Sequence, residues 1–432
     1  MKIKLFFYCI LLSIQFFYSE SSAGDYWSAI PAPVNTNYYK CFFTDQNTGW
    51  ISGDSGIIIK TTNGGISFDV YHTGIVNKTE SLFFVNNTTG WATALEAEPD
   101  STEYPGTIIL KTTNGGMNWS HNLYPDTNVF LPVIFFTDPS NGYMGGYGST
   151  IVYTTNAGIN WENSYTDSIG FLYPVLSIKF FDQLNGYACG GIYDFAGVVW
   201  KTSDGGRNWA KQIVGLEPFR DIYILNSSKI FLSGGDFKFG ASISETTNSG
   251  TNWQTDFLGY FGVAVSIEFR TPYEGWISLG FAGKFIYSLD SGNTWTEIYT
   301  PDTNKINDIQ FTDSLHGWSV GDNGMILKYN SMTSVIRNSQ MIAIPNSIEL
   351  FQNYPNPFNP VTNLEFGVPN MEFVSLKVYN SLGKEVAILV NEIKPAGRYE
   401  VTFDGSNLGS GIYFYKIEAG GFSAVKRMIL LK

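Results

Sequence analysis

One eight-residue pattern returns six times between residues 61 and 295. It reads TTNGGISF at 61–68, TTNGGMNW at 112–119, TTNAGINW at 154–161, TSDGGRNW at 202–209, TTNSGTNW at 246–253 and SLDSGNTW at 288–295. Each part has a physical use. The Asn or Asp can accept bonds from backbone N–H groups in a turn, and Gly supplies the positive φ that a tight corner needs. The closing aromatic, Trp in five of the six, carries a large flat surface to bury. A chain that repeats such a corner repeats a whole structural unit.

Upstream of each corner lies an aromatic residue followed by a small-residue step: Trp50, Trp91, Tyr143, Tyr187, Phe231, Trp276 and Trp318. Alternating apolar runs such as CFFTD, SLFFV, SIKFFD and DIQFTD precede them. Each unit therefore reads as four strands, with the corner between the third and fourth. Four strands per unit at a period of about 40–50 residues indicate a β-propeller. Aromatics at 16% and 45 glycines fit many short strands and tight turns rather than helices.

Seven upstream aromatics face only six corners. The seventh unit ends at GDNGMILKYNS without its fourth strand, and YWSAIPAP stands unpaired near the start of the chain. Trp27 lies 41 residues before Phe68, one ordinary period. The expectation is an all-β fold over residues 24–331. It is a seven-bladed β-propeller whose ring is closed by the N-terminal strand, leaving no exposed sheet edge.

The corner SLDSGNTW fits the Asp-box pattern S-x-D-x-G-x-T-W of bacterial neuraminidase repeats. GWISGDSGIIIKTTNGG and GWSVGDNGMILK resemble the propellers of the photosystem II stability/assembly factor family. The resemblance implies the fold. It implies no single function, because such propellers include glycosidases, assembly factors and binding proteins.

Residues 332–347 carry no repeat and read as a linker. Over 348–432 about seven short alternating runs, separated by NSLGK, KPAGR, DGSNLGSG and EAGG, indicate a small Ig-like β-sandwich. YPNPFNP, VYNSLGKEV, GIYFYKI and the terminal KRMILLK resemble the type A C-terminal sorting domain of type IX secretion substrates. That resemblance implies type IX secretion machinery as a partner and a secreted or outer-surface location, reached via the periplasm. The first 23 residues agree: Lys2 and Lys4, an apolar run, then small residues before Gly24 read as a signal peptide. No later run is long and apolar enough for an integral membrane span.

The net charge of −12 argues against nucleic acid as a partner. Cys41 and Cys189 read as buried free thiols. Three histidines without ligand spacing give no metal site, and no cofactor motif is present. The acidic run EAEPDSTEYPG at 96–106 reads as a solvated loop rather than a calcium site.

A sialidase needs an arginine triad, and of the propeller's Arg207, Arg220 and Arg270 the first lies inside a corner, expected to point away from the axis, so only two remain and the F-R-I-P signature is missing. A glycosidase needs two placed carboxylates. Asp54, Asp194, Asp236 and Asp322 recur between second and third strands, where Asp before a glycine or in a tight loop is ordinary turn chemistry. No catalytic residue is assigned. The remaining signal is aromatic. Phe130, Phe171, Tyr173, Phe219, Arg220, Tyr260 and Phe261 fall in loops joining consecutive blades. Phe195, Phe237, Phe239 and Phe281 fall between second and third strands. Both loop sets emerge on one face around the axis, and there they form a patch suited to protein, peptide or glycan. The reading is a non-catalytic binding protein; the alternative is a glycoside hydrolase-like enzyme using the loop carboxylates.

Overall fold

The computed structural model describes residues 26–96, 106–126, 129–166, 171–281, 283–330, 347–394 and 397–432. The proposed signal peptide, most of the 96–106 acidic run and most of the linker lie outside them. The chain divides into two compact units near residue 333.

The first unit is a ring of seven four-stranded antiparallel sheets. Six are consecutive meanders, beginning with the innermost strands Tyr38–Phe43, Thr79–Phe84, Val133–Phe136, Val175–Phe180, Phe219–Ile224 and Val263–Phe269. The seventh combines Ile306–Phe311, Gly317–Gly321 and Ile326–Tyr329 with the N-terminal strand Trp27–Ala29. Trp27, Ser28 and Ala29 pair with Tyr329, Lys328 and Leu327. The innermost strands of neighbouring blades pack on one another around the axis. Trp27 is fully buried among Trp276, Phe285, Phe311 and Tyr329, with ring centroids 5.0–5.7 Å away. The ring is closed as the count of seven against six requires.

The corner is a self-bonded unit that also holds the next blade. In TTNGGISF, Gly65 N donates to Thr61 Oγ1 at 2.9 Å and Ser67 N to Asn63 Oδ1 at 3.0 Å. The pair recurs down to Ser288, where Gly292 N donates to Oγ at 2.9 Å, and Asp290, where Thr294 N donates to Oδ1 at 2.8 Å. The fourth and fifth corner positions both have positive φ. The fourth tolerates Ala157, Ser249 and Ser291; the fifth is glycine in all six. A Cβ at Gly206 would stand 2.3 Å from the ring of Tyr143 in the preceding blade, so only glycine fits.

The fourth-position carbonyl accepts from that preceding blade. Trp50 Nε1 donates to Gly115 O at 2.9 Å, Lys201 Nζ and Tyr187 Oη to Ser249 O at 2.7 and 3.0 Å, and Lys328 Nζ to Gly64 O at 2.7 Å. In blade five Phe231 has no donor, and Lys229 alone reaches Ser291 O at 3.0 Å. The corners therefore join blades. Trp209 closes its corner through Nε1 to Gly206 O at 2.9 Å and is 1% exposed. Trp209→Ala is expected to cost about 3–5 kcal/mol, the range for Trp truncation in a core, as read by urea unfolding.

The second unit is a sandwich of a three-stranded and a four-stranded sheet. The four-stranded sheet runs in the order Glu385–Lys394, Glu372–Asn380, Gly411–Ala419, Phe422–Leu430. Val374, Leu376, Tyr415, Ile417, Met428 and Leu430 lie in its core. The last strand would be an open edge, but the proline-rich entry covers it. Phe358 N donates to Ile429 O at 2.9 Å, Leu431 N to Phe358 O at 3.0 Å, and Ile429 N to Asn356 Oδ1 at 2.9 Å. YPNPFNP and KRMILLK are thus one structural element.

Candidate functional site

The innermost strands surround an axial cavity of about 580 Å³. The inter-strand register sorts the residues of these strands into tiers, the first turned away from the cavity and the next three lining it. Tyr38, Thr79, Val175, Phe219 and Ile306 occupy equivalent positions, opposite Gly53, Ala94, Gly190, Gly234 and Gly321, and all are buried. The next residues, Tyr39, Glu80, Leu176, Arg220 and Asn307, form the mouth. Below them Lys40, Ser81, Ser177, Asp221 and Asp308 form a middle tier. Phe42, Phe83, Phe135, Lys179, Glu268 and Gln310 form a third tier two residues on.

The middle tier is a hydrogen-bonded belt that crosses blades. Ser177 Oγ donates to Asp221 Oδ1 at 2.9 Å, and Ser266 Oγ lies 3.1 Å from both Asp221 Oδ2 and Asp308 Oδ1. Lys40 Nζ donates to Asp308 Oδ1 at 2.7 Å, and Cys41 N to Oδ2 at 3.0 Å. This joins blade seven to blade one beside the axis. Burial alone would lower the Lys40 ammonium; the adjacent Asp308 carboxylate holds it above its ordinary value instead. Burial pushes the Cys41 and Cys189 thiols well up; both are free and buried.

In the third tier the rings of Phe42, Phe83 and Phe135 follow one another at 4.8 and 5.0 Å. Opposite them Lys179 and Glu268 stand 4.0 Å apart. Burial pushes the Glu268 carboxyl up to about 7, against the opposing pull of Lys179. A carboxyl raised above its unfolded value favours the protonated fold. Its contribution to stability is complete below about pH 4.5 and lost as pH rises through 7. Glu268→Gln is expected to remove a slope of roughly 3 kcal/mol between these limits, measured by urea unfolding at stepped pH.

At the mouth three cations rest on aromatic faces. Lys78 Nζ lies 3.9 Å from the ring centre of Tyr39, Arg220 is 5.1 Å from Tyr193, and Lys305 is 4.5 Å from Phe281. Outward from the mouth, exposed aromatics cluster in pairs. Phe171 meets Phe195 at 4.7 Å and Phe237 meets Phe281 at 5.2 Å, both edge to face. Phe239 lies 5.9 Å from Phe257, and Phe130, on the cavity wall, is the same distance from Tyr147.

The residues singled out in the sequence separate into two groups. Phe171 and Phe261 are 63% and 64% exposed, and Phe130 and Arg220 line the cavity. Tyr173 and Phe219 are corrections: they are 4% and 1% exposed and belong to the core between blades. Phe219 begins an innermost strand at the position that is buried in other blades. Tyr260 is half-buried, and its hydroxyl donates to Trp295 O at 2.9 Å. The belt residues Lys40, Asp221 and Asp308, with Lys179 and Glu268, were not singled out. Their signal lies in aligning the first strands of the repeat rather than its corners.

The loop carboxylates also separate. Tyr39 Oη donates to Asp54 at 2.6 Å, and Asn307 Nδ2 to Asp322 at 2.9 Å. Asp194 and Asp236 converge with Glu217, their carboxylate oxygens within 4.8 Å of one another. Glu217 is buried, which raises its carboxyl, and it accepts from Asp194 N at 3.2 Å. The cluster stands outside the cavity lining. Arg270, the third arginine of the propeller, is held by Glu274.

Comparison with known proteins separates the two units. Residues 352–431 match the family described as secretion system C-terminal sorting domain. The C-terminal unit is a sorting domain of that family. With it, the protein is secreted or displayed at the outer surface. Among the described residues no helix is long and apolar enough to cross a membrane. Comparison with curated proteins returns no match.

The propeller is similar to solved structures. YCF48 bound to D1 peptide matches at 21% identity and a TM-score of 0.57, over 70% of this chain and 96% of that one. YCF48 from Cyanidioschyzon merolae matches at 18% identity and 0.58, over 71% and 99%. The GH74 xyloglucanase from Xanthomonas campestris matches at 11% and 0.56, over 79% and 59%. These likenesses establish the propeller fold.

Proposed function

We propose that this protein is a non-catalytic binding module, exported by its sorting domain, which takes a protein, peptide or glycan on the axial face of the propeller. The observation that carries this reading is the concentration of exposed rings there. Phe171, Phe195, Phe237, Phe261 and Phe281 are 45–64% exposed; Phe281 lines the charged cavity, Phe237 packs on it, and Phe171 packs on Phe195, two residues from the cavity-lining Tyr193. Exposing that much apolar surface on one face costs solubility unless a ligand covers it. A likeness to a propeller, YCF48, whose structure is described as bound to D1 peptide supports the same reading. The test is a peptide and glycan array probed with the mature chain. Reproducible, saturable binding to one class is expected; an empty array at micromolar protein would overturn the reading.

A glycoside hydrolase reading rests on the convergence of Asp194, Glu217 and Asp236. Two or more carboxyl groups held close together, one of them raised by burial, are what an acid–base hydrolase needs. Release of reducing ends from β-glucans by the mature chain, abolished in Glu217→Gln, would establish it in place of binding alone.

A further inference from the structure

Within the binding reading above, the mouth of the cavity indicates what chemistry the ligand carries. The chain has a net charge of −12, yet the cavity lining has five basic side chains against four acidic ones. Most of these charges are already matched. Lys40 pairs with Asp308 at 2.7 Å and Lys78 with Glu80 at 2.9 Å, and Lys179 faces Glu268 at 4.0 Å. Asp221 is satisfied by two serine hydroxyls and by the amides of Ile222 and Ile267. Two cations remain. Among the described residues neither Arg220 nor Lys305 forms an ion pair.

Arg220 carries a second sign. Its Nε is buried and has no hydrogen-bond partner, while another guanidinium nitrogen is spent on the Tyr193 hydroxyl. A buried donor on a charged group without an acceptor is costly, and an anion at the guanidinium's outer edge would balance the charge that no carboxylate among the described residues there offsets. Burial lowers the Lys305 ammonium, with Lys78 and Arg220 adding like-charge pressure and Asp322 opposing it. The cations thus share one field at the mouth.

We propose that Arg220 and Lys305 receive a carboxylate carried by an acidic, apolar peptide segment, whose flanking side chains lie on Phe171, Phe237 and Phe261. A planar guanidinium matches a carboxylate through two parallel bonds, which selects this anion over a halide. The peptide is favoured over a glycan by the rings themselves. One face of Tyr193 and one of Phe281 are already covered by cations, which leaves a sugar less ring to stack on at the mouth. The exposed edges and paired rings beyond them suit aliphatic and aromatic side chains.

The test uses the mature full-length chain and two labelled peptides blocked at both ends. One has a single glutamate between phenylalanine and leucine residues; the other has glutamine in its place. Fluorescence anisotropy should show the glutamate peptide binding at least about tenfold more tightly. Arg220→Gln and Lys305→Gln should each remove most of that difference, bringing the glutamate peptide toward the affinity of the glutamine peptide, in a protein that still unfolds cooperatively. Arg220→Lys should retain part of the preference. Equal affinity for both peptides, or a preference that survives both variants, overturns the carboxylate assignment and leaves the binding reading standing. The assignment also fails if inorganic phosphate displaces the peptide at lower concentration than acetate does. If neither peptide binds while an array ligand does, this inference fails alone; if nothing binds in either experiment, both fail.

Discussion

A mature chain beginning at Tyr38 is expected to lose its cooperative unfolding transition, or to aggregate before reaching one. The strand it lacks supplies the outer edge of the seventh blade. Without it the Ile326–Tyr329 strand presents unpaired N–H and C=O groups, a template for another chain. The loss also strips Trp27 from a site where it is 0% exposed and surrounded by four rings. Trp27→Ala alone should cost about 3–5 kcal/mol. The deletion should cost more, because Ile30 N also bonds Ile326 O and Ser28 Oγ bonds Asn330. Size-exclusion chromatography with scanning calorimetry reads both variants. A monomer with an unchanged melting temperature would show that the N-terminal strand is dispensable.

Removing residues 426–432 is expected to abolish export while leaving a folded propeller in the periplasm. Met428 and Leu430 are fully buried in the sandwich, and Phe358 and Asn356 pair with the same strand. Deleting it empties part of the core and releases the proline-rich entry, so both signature motifs of the sorting domain lose their structure together. The core that these residues build belongs to the C-terminal unit. Cell fractionation in a host with type IX secretion measures the outcome. Normal levels in the medium or on the surface would mean that the terminal strand does not carry the sorting signal.

The architecture was legible because the corner marks six of the seven blades and cannot be built from other residues. Two consecutive left-handed positions, a hydroxyl and an Asx side chain are needed at fixed spacing, and six copies survive in the sequence. The closing strand was legible by arithmetic. The site was less so. Loops rich in aromatics announce a face, but exposure is decided by register at each strand start. Phe171 stands free, whereas Phe219 turns into the core because Tyr38, Val175 and Ile306 do so at the same position. The axial belt was hidden for a different reason. Lys40, Asp221 and Asp308 are far apart in sequence and lie among ordinary strand residues. Only the ring links them, with Ser266 between Asp221 and Asp308, across four consecutive blades.

The central claim is that ligand is bound on the axial face, and comparing surface variants on the array tests it most directly. Phe171→Ser with Phe261→Ser removes two exposed rings from that face. Ile66→Ser with Ile159→Ser removes two exposed side chains, 82% and 75% accessible, from the corners at the blade periphery. None of the four packs in the core, so both double variants should melt with the native protein. The account predicts that the axial variant loses array binding by about tenfold or more and the peripheral variant keeps it. Binding that survives the axial changes and disappears with the peripheral ones would contradict it.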